Sequence, residues 1–344
     1  MNSERIEQII SEYGLQKFRA NQLKDAIFNK HVSSYDEVST LKKDLREKLK
    51  KEQPLLCLEE HKIYKSSDKR TYKALLKLED GRIIESVLMS PKPDHWTACI
   101  SSQVGCAMAC TFCATGTMGL LRNLTSEEIT DQVLYWRQFI KRNGIDARLN
   151  NVVYMGMGEP FHNKTKVFNS VDELKNPETF NMGSRHISIS TSGLLKPIYE
   201  MAERFPQVNL AISLHAANDD LRSGMMPVND NFPLDKLAEA LTHYLGKTKR
   251  KIFLEYILLD NENDSLKNAD ELVALVNKIK PSNLLHVNLI VYNQTDSAHR
   301  QASRENAVKF KEYLQNKGVS TTIRKNLGRD IDGACGQLVV LDQK

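Results

Sequence analysis

The feature that most constrains this chain is a cluster of three cysteines within one short segment. Cys106, Cys110 and Cys113 have the spacing Cys-x3-Cys-x2-Cys. Ordinary 4Fe–4S clusters and structural zinc sites take four protein ligands. Three thiolates therefore leave one iron of a cluster open to a small molecule. The alternative is a zinc site completed by a histidine, but no histidine lies within twenty residues after Cys113, where a finger-like site would need it.

Composition places the chain among ordinary soluble proteins of one large domain, or one large and one small. It has 344 residues, of which 41% are hydrophobic and 26% charged. We find no apolar run of the length that a membrane span needs, and the polar N-terminus lacks the apolar core of a signal peptide. Six cysteines, half of them in one cluster, indicate a reducing, cytoplasmic setting. The net charge of +5, with the basic excess after residue 60, fits an anionic partner.

The first part of the chain divides into a helical and a strand-rich segment. Residues 1–55 are predicted to form a small helical domain, which either packs against the rest or contacts nucleic acid. The apolar faces of its three helices are Ile6, Ile9, Ile10 and Tyr13; Phe18, Leu23, Ile27 and Phe28; and Val38, Leu41, Leu45 and Leu49. Residues 56–94 are predicted to form a β-hairpin extension, with strands at 62–65, 71–78 and 82–89 and a turn at Asp80-Gly81.

From residue 95 onward, strands and helices alternate, which predicts an α/β fold with parallel strands. The strands are expected at 97–101, 151–155, 186–191, 208–214, 251–259 and 285–291, with a further strand at 320–324. Thr125 to Glu128 form a capping box at the start of the first long helix. Because βαβ crossovers are right-handed, residues 95–344 are predicted to form a partial TIM-like barrel of six strand–helix units.

In such a barrel the active site lies at the carboxyl ends of the strands. Polar and glycine-rich segments follow the predicted strands at those ends: the cysteine loop, residues 156–160, residues 190–193, residues 213–215 and Asn293. The sequence therefore predicts one site built from distant segments. Residues 217–231 are expected to be a long loop that touches the substrate, and the basic run 247–251 is either a solvated helix end or a phosphate contact.

The three remaining cysteines lie outside the cluster. A lone cysteine is usually a small buried hydrophobe, which is the interpretation for Cys57. Cys335 lies between small residues near two aspartates, which indicates an accessible loop, and Cys99 precedes the cluster. Cys99 and Cys335 are candidates for thiol chemistry, either nucleophilic attack or reversible disulfide formation.

Seven segments, taken in order, resemble the radical SAM adenine-C2 RNA methyltransferases, the RlmN family. They are 99–106 (CISSQVGC), 112–116 (FCATG), 122–125 (RNLT), 156–160 (GMGEP), 189–193 (ISTSG), 213–216 (SLHA) and 334–338 (ACGQL). The resemblance extends over nearly the whole chain. One departure is Phe161-His162, where the family usually has small aliphatic residues.

The resemblance implies a mechanism with two molecules of S-adenosylmethionine. The first methylates Cys335, and the second is cleaved at the cluster to a 5′-deoxyadenosyl radical, which takes a hydrogen atom from that methyl group. The methylene radical adds to C2 of an adenine in RNA. Loss of the C2 proton and attack by Cys99 on the Cys335 sulfur then release methyladenine and leave a Cys99–Cys335 disulfide.

The resemblance also assigns residues and partners. Cys106, Cys110 and Cys113 would hold the 4Fe–4S cluster, and Cys335 and Cys99 would be catalytic. Glu85 matches a position assigned as the proton acceptor, a role for which Cys99 competes. The S-adenosylmethionine site would comprise Gly158, Glu159, Ser190, Ser213, Leu214, His215 and Asn293. The implied partners are 23S rRNA, tRNA at the adenosine beside the anticodon, and a flavodoxin-type electron donor, for a cytoplasmic monomer.

Three other functions fit parts of the sequence. The sister family Cfr methylates C8 of the same rRNA adenine and confers antibiotic resistance, but Val104 and Pro160 stand where its pattern has cysteine and alanine. A radical SAM enzyme acting on a small molecule or peptide would not need Cys335. A non-catalytic RNA-binding module would carry zinc in place of the cluster.

Overall fold

The computed structural model describes residues 1–339 as a large sheet with surrounding helices. The strands are β1 (Leu58–Lys65), β2 (Thr71–Leu78), β3 (Ile83–Lys92), β4 (His95–Cys99), β5 (Gln103–Gly105), β6 (Leu120–Asn123), β7 (Arg148–Tyr154), β8 (Ile187–Thr191), β9 (Asn209–Ser213), β10 (Ile252–Leu258), β11 (Leu285–Val291) and β12 (Thr321–Ile323). The helices are α1 (Ser3–Glu12), α2 (Phe18–Lys24), α3 (Lys43–Glu52), α4 (Ala114–Thr117), α5 (Ser126–Arg142), α6 (Lys164–Lys175), α7 (Leu195–Arg204), α8 (Asp219–Met225), α9 (Leu234–Thr248), α10 (Leu266–Lys278) and α11 (Arg304–Asn316).

The N-terminal segment is helical, as predicted. α1 starts at Asn2, whose side chain accepts a hydrogen bond from the Arg5 amide, and its apolar face is buried. The prediction for the third helix was wrong at its start. Val38 and Leu41 are buried but precede α3, which begins only at Lys43, because Ser34 caps a separate 3₁₀ turn over Tyr35–Glu37.

The main sheet has ten strands in the order β1-β2-β3-β4-β7-β8-β9-β10-β11-β12. β1 to β4 are antiparallel, and every pair from β4–β7 to β11–β12 is parallel. The strands of the hairpin extension therefore continue the sheet to which the barrel strands belong. The boundary between 56–94 and 95–344 stays a prediction.

The parallel part confirms the predicted α/β fold. Six strand–helix units follow one another along the chain, β4–α5, β7–α6, β8–α7, β9–α9, β10–α10 and β11–α11, before β12. The predicted capping box is present at Thr125 and Glu128, and it starts α5. Since successive parallel strands are neighbours in the sheet, their carboxyl ends lie along one edge. Along residues 1–339, no helix is both long enough and apolar enough to cross a membrane.

Several short elements were not predicted, including a hairpin and a helix. β5 and β6 form a short antiparallel hairpin that brackets the cysteine loop. The expected loop 217–231 was wrong, because it contains α8, which Asn218 caps by accepting from the Leu221 amide. Both elements are too short for the periodicity of apolar residues to reveal them.

Candidate active site

A cavity of about 150 Å³ lies at the carboxyl ends of the parallel strands. Its wall combines segments that are far apart in the sequence: the cysteine loop, the turn after β7, the ends of β8 and β9, and the C-terminal loop. Of the predicted site residues, those lining it are Cys106, Cys110, Cys113, Gly158, Glu159, Ser190, Ser213, His215 and Cys335. The structure thus brings nine of the predicted residues together.

Close backbone contacts shape the cysteine loop. A Cβ atom on Gly105 would lie 1.9 Å from the Gly119 carbonyl oxygen, so only glycine fits there. The Cys106 amide donates to that same oxygen at 2.9 Å. On the other side, the Thr111 amide donates to the Met225 carbonyl at 3.0 Å, which connects the loop to α8.

A side-chain relay also holds the cysteine loop. The Thr111 hydroxyl lies 2.8 Å from Nε2 of His299. Nδ1 of the same ring lies 2.7 Å from a carboxylate oxygen of Glu262. The relay joins three loops at the carboxyl ends of the strands and fixes the peptide between Cys110 and Cys113.

The donor set fits a 4Fe–4S cluster. Burial raises the pKa of the Cys106 thiol to about 12 and that of Cys110 well above its usual range, so a bound metal is needed to keep both as thiolates. Within residues 1–339, no three Cys, His, Asp or Glu side chains converge closely enough to hold one metal ion. A cluster does not require such convergence, because each thiolate binds a different iron. The cavity wall thus presents three thiols to such a cluster.

The turn after β7 presents Glu159 to the cavity. The glycine before it, Gly158, has φ +97°, and a Cβ there would lie 2.5 Å from the Gln103 side chain. The two Glu159 carboxylate oxygens accept hydrogen bonds from the backbone amides of Ser192 and Phe161, at 2.8 and 2.9 Å. Burial raises the pKa of Glu159, and these amides oppose the rise. The carboxylate is thereby held in one orientation in the cavity wall.

The ends of β8 and β9 supply hydroxyl groups and a neutral imidazole. The Ser190 and Ser213 hydroxyl oxygens are 3.4 Å apart. His215 is buried, and burial together with Arg222 lowers its pKa to about 3. Its Nδ1 accepts from the Ile257 amide at 3.1 Å, so Nε2 carries the proton of the neutral ring. Leu214 does not line the cavity; its amide donates to the Glu255 carbonyl at 2.9 Å.

Sequence reasoning missed Arg222, which organises these strand ends. Its side chain is fully buried and donates to the carbonyl oxygens of Ser192, Leu214 and Ser213 at 2.7, 3.1 and 3.2 Å. Burial lowers its pKa to about 10, so it stays charged at neutral pH. Arg222 belongs to no recognisable motif. It lies on α8, which the periodicity of apolar residues did not predict, and its contacts depend on that helix.

Asn293 does not line the cavity but holds the C-terminal loop. Its side-chain amide donates to the Cys335 carbonyl at 3.0 Å. Its side-chain oxygen accepts from Arg329 Nε at 2.7 Å and from the Asn326 amide at 3.0 Å. Among the described contacts, Asn293 is therefore placed to position Cys335.

Cys335 also lines a second, smaller cavity of about 30 Å³, which it shares with Cys99. Cys335 keeps solvent-exposed surface, whereas Cys99 is buried, and burial raises the pKa of the Cys99 thiol to about 12. Arg324, which the sequence did not single out, lines both cavities and donates to Glu255 at 3.1 Å. Its charge lowers the pKa of both thiols.

The Cys99–Cys335 disulfide implied by the resemblance is not formed in the structure. All six cysteines, which lie within residues 1–339, are free. The structure therefore gives the implied disulfide no support.

Glu85 lines neither cavity. It is buried on β3 and forms an ion pair with Lys73 at 3.0 Å. Burial raises its pKa, while Lys73 and the Val339 amide oppose the rise. Its predicted role as proton acceptor stays a prediction, and the structure does not bring it to the other site residues.

Family models match two parts of the chain. The Radical SAM superfamily matches residues 100–273, and the ribosomal RNA large subunit methyltransferase N-terminal domain matches residues 1–54. The first match contains the cysteine loop and most of the parallel strands. The second covers α1 to α3.

Curated proteins and a solved structure resemble the chain over nearly its full length. The "Probable dual-specificity RNA methyltransferase RlmN" of Staphylococcus carnosus is 41% identical over 97% of this chain and 90% of its own. The protein of the same name from a Thermoanaerobacter species is 39% identical, over 98% and 96%. The crystal structure of a radical SAM methyltransferase from Sphaerobacter thermophilus is 41% identical, with a TM-score of 0.91 over 98% of this chain and 97% of that one.

Proposed function

The chain belongs to the RlmN family of radical SAM methyltransferases, and we propose that it methylates C2 of an adenosine in 23S rRNA and of the tRNA adenosine beside the anticodon. The observation that carries this proposal is the position of Cys335, which lines both the main cavity and the small cavity of Cys99. Because the Cys335 thiol lines both cavities, it can accept a methyl group in the main cavity and react with Cys99 in the small one. The relatives named as dual-specificity RNA methyltransferases support RNA as the substrate.

Cys106, Cys110 and Cys113 would hold a 4Fe–4S cluster in the cavity wall. When bound, the cluster supplies the electron that breaks a carbon–sulfur bond of S-adenosylmethionine. Around it, Glu159 presents a fixed carboxylate that can accept from the amino group of S-adenosylmethionine. The Ser190 and Ser213 hydroxyls and the Nε2–H of His215 offer neutral polar contacts in the same cavity.

Cys335 would act first as a nucleophile. Its thiolate attacks the methyl carbon of S-adenosylmethionine, forming a carbon–sulfur bond while S-adenosylhomocysteine leaves. A hydrogen atom is then removed from the S-methyl group, and the carbon radical forms a bond with adenine C2. Adenine C2 is electron-poor, so it is a poor nucleophile toward the electrophilic methyl group of S-adenosylmethionine. A carbon radical can add to C2 without this mismatch.

Cys99 would resolve the adduct. The adduct loses the C2 proton and one electron, which the oxidised cluster would accept. The Cys99 thiolate then attacks the Cys335 sulfur, the bond from that sulfur to carbon breaks, and the released carbon takes up a proton to complete the methyl group. The product is a disulfide, which an external dithiol must reduce by two electrons before the next turnover. The shared small cavity supports Cys99, rather than Glu85, as the group that receives the C2 proton, and the Cys99 thiol must lose this proton again before it attacks.

The proposed partners are 23S rRNA, tRNA and a flavodoxin-type electron donor, and we propose a cytoplasmic monomer. RNA bases become accessible to such an enzyme where they are unpaired or splayed out. The exposed surface of Cys335 supports a substrate that approaches from outside the barrel.

The test is nucleoside mass spectrometry. Anaerobically reconstituted enzyme is incubated with S-adenosylmethionine, a reductant and either a 23S rRNA fragment or tRNA. We expect 2-methyladenosine from both RNAs. A product at C8 would instead place the chain with the Cfr enzymes, and the absence of any methylated nucleoside with both RNAs would refute the proposal.

A further inference from the structure

The segment that carries Cys335 is held at both ends by two buried charged side chains. Three residues before Cys335, the Asp332 carbonyl accepts from Lys73 Nζ at 3.2 Å. Four residues after it, the Val339 amide donates to Glu85 Oε2 at 3.0 Å. Lys73 lies on β2 and Glu85 on β3. The hairpin extension thus contacts the backbone on each side of the proposed methyl carrier.

Lys73 and Glu85 also pair with each other. Lys73 Nζ lies 3.0 Å from Glu85 Oε1, with side-chain exposures of 9% and 2%. Removing two charges from water is costly, and a buried pair is often no more stable than apolar residues of similar size. The pair is therefore poorly explained as a source of sheet stability alone, whereas each member has a second partner in the Cys335 segment.

The middle of the segment is attached elsewhere. The Ala114 amide, next to the cluster ligand Cys113, donates to the Gly336 carbonyl at 2.9 Å. Asn293 donates to the Cys335 carbonyl. The ends of the segment are thus connected to the hairpin extension, and its tip to the first residue of α4 and to Asn293, which lies two residues after β11.

We propose that the Lys73–Glu85 pair is a latch that positions Cys335 between its two cavities. By fixing Asp332 and Val339, the latch restricts movement to the tip, so that the sulfur can meet the donor in one cavity and Cys99 in the other. Lys73 and Glu85 are positioning residues, because neither lines a cavity. The contacts of the latch do not depend on the proposed function. Only the role of Cys335 as methyl carrier rests on that function.

In this proposal Glu85 positions the Cys335 segment and does not transfer a proton. Both oxygens of its carboxylate are engaged, Oε1 by Lys73 and Oε2 by the Val339 amide. If Glu85 acted as a base, its proton transfer would not require Lys73. The two interpretations therefore differ in what the removal of Lys73 does.

The test uses the anaerobically reconstituted holoenzyme with the variants Lys73→Met and Glu85→Gln. Lys77→Met is the matched control, since it changes an exposed lysine on the same strand. Hydrogen exchange of the amides in 328–339 and the rate of Cys335 alkylation are measured by peptide mass spectrometry. We expect both variants to raise both rates by about tenfold or more, as the loss of a charge-assisted hydrogen bond predicts, and the control to leave them unchanged.

A double variant guards against a simple folding defect. Lys73→Met with Glu85→Gln removes both charges, so no unpaired buried charge remains. It should fold as the parent does, yet still show rapid exchange in 328–339 and a lower kcat for RNA methylation with an unchanged KM for S-adenosylmethionine.

Unchanged exchange and alkylation in these variants would overturn the latch. So would a Glu85→Gln enzyme that accumulates RNA bound to Cys335 while its loop exchange stays that of the parent, since this is the signature of a lost base. Both loop measurements are made without RNA. If the parent methylated no RNA, the proposed function would fail while the latch would still be tested.

Discussion

Cys99, the last residue of β4, and Cys335, in the C-terminal loop, line the same small cavity. Cys99 lies at the carboxyl end of β4, seven residues before Cys106, and the Cys335 segment reaches its cavity from the other end of the chain. This convergence gives the barrel two thiols in addition to the three of the cluster motif. It also separates their tasks, because only Cys335 lines the main cavity as well.

Removing either thiol should stop turnover at a different point. We expect Cys335→Ala to abolish RNA methylation and to form no covalent RNA complex. Cys99→Ala should form the complex and fail to release it, because no thiolate attacks the Cys335 sulfur. Denaturing gels with labelled RNA distinguish the two outcomes.

Cys57→Ala is the control for these variants, since Cys57 is buried outside both cavities. It should methylate RNA as the parent does. A Cys99→Ala enzyme that turned over normally would contradict the assignment of Cys99 as the resolving thiol.

The relay from Thr111 through His299 to Glu262 should stabilise the cluster loop. We expect His299→Ala to lower the iron content after reconstitution and to speed loss of the cluster absorbance in air by several-fold, because the peptide between two ligands loses its support. Iron analysis and visible spectra measure both effects. His61→Ala, at an exposed position on β1, should match the parent, and an equally stable cluster in His299→Ala would show that the relay is unimportant.

His215 should make folding stability depend on pH. Burial lowers its pKa to about 3 in the folded chain, against the ordinary histidine value of 6.5 in the unfolded chain, so the unfolded chain binds the extra proton and stability falls as the pH drops below 6.5. Between about pH 7.5 and about pH 5, this single group should remove about 2 kcal/mol of unfolding free energy. Denaturant titrations at several pH values measure the slope.

The matched variant for this titration is His215→Asn. Asparagine does not titrate and tolerates the left-handed conformation of this position, where φ is +61°. The variant should be less stable overall but should lose less free energy between the same pH values. An identical slope in parent and variant would mean that His215 does not contribute.

The sequence predicted the alternating strands well, because long parallel strands such as β10 and β11 are apolar runs bounded by loops. The rule that sites lie at carboxyl strand ends predicts that Cys106, Glu159, Ser190 and His215 lie together, and all four line the main cavity. The cysteines outside the cluster and the family motifs identified Cys335 and Cys99 as candidates. No local sequence pattern predicts that these two residues lie close together.

The residues that sequence reasoning missed depend on tertiary contacts. Arg222 acts through carbonyl oxygens at two strand ends, and Arg324 through its place between two cavities. Neither arginine stands in a distinctive pattern. The resemblance assigns Asn293 to the S-adenosylmethionine site, and this role stays a prediction. The contact of Asn293 with the Cys335 backbone was not predictable, because it depends on the segment packed against that loop.

The most direct test of the account follows the methyl group. Cys335 is first methylated with S-adenosylmethionine bearing a trideuterated methyl, the enzyme is freed of donor, and one turnover is run with unlabelled S-adenosylmethionine and the rRNA fragment. If Cys335 carries the methyl and loses one hydrogen atom before bond formation, the 2-methyladenosine will contain two deuterium atoms. Product with three deuterium atoms, or with none, would contradict the account.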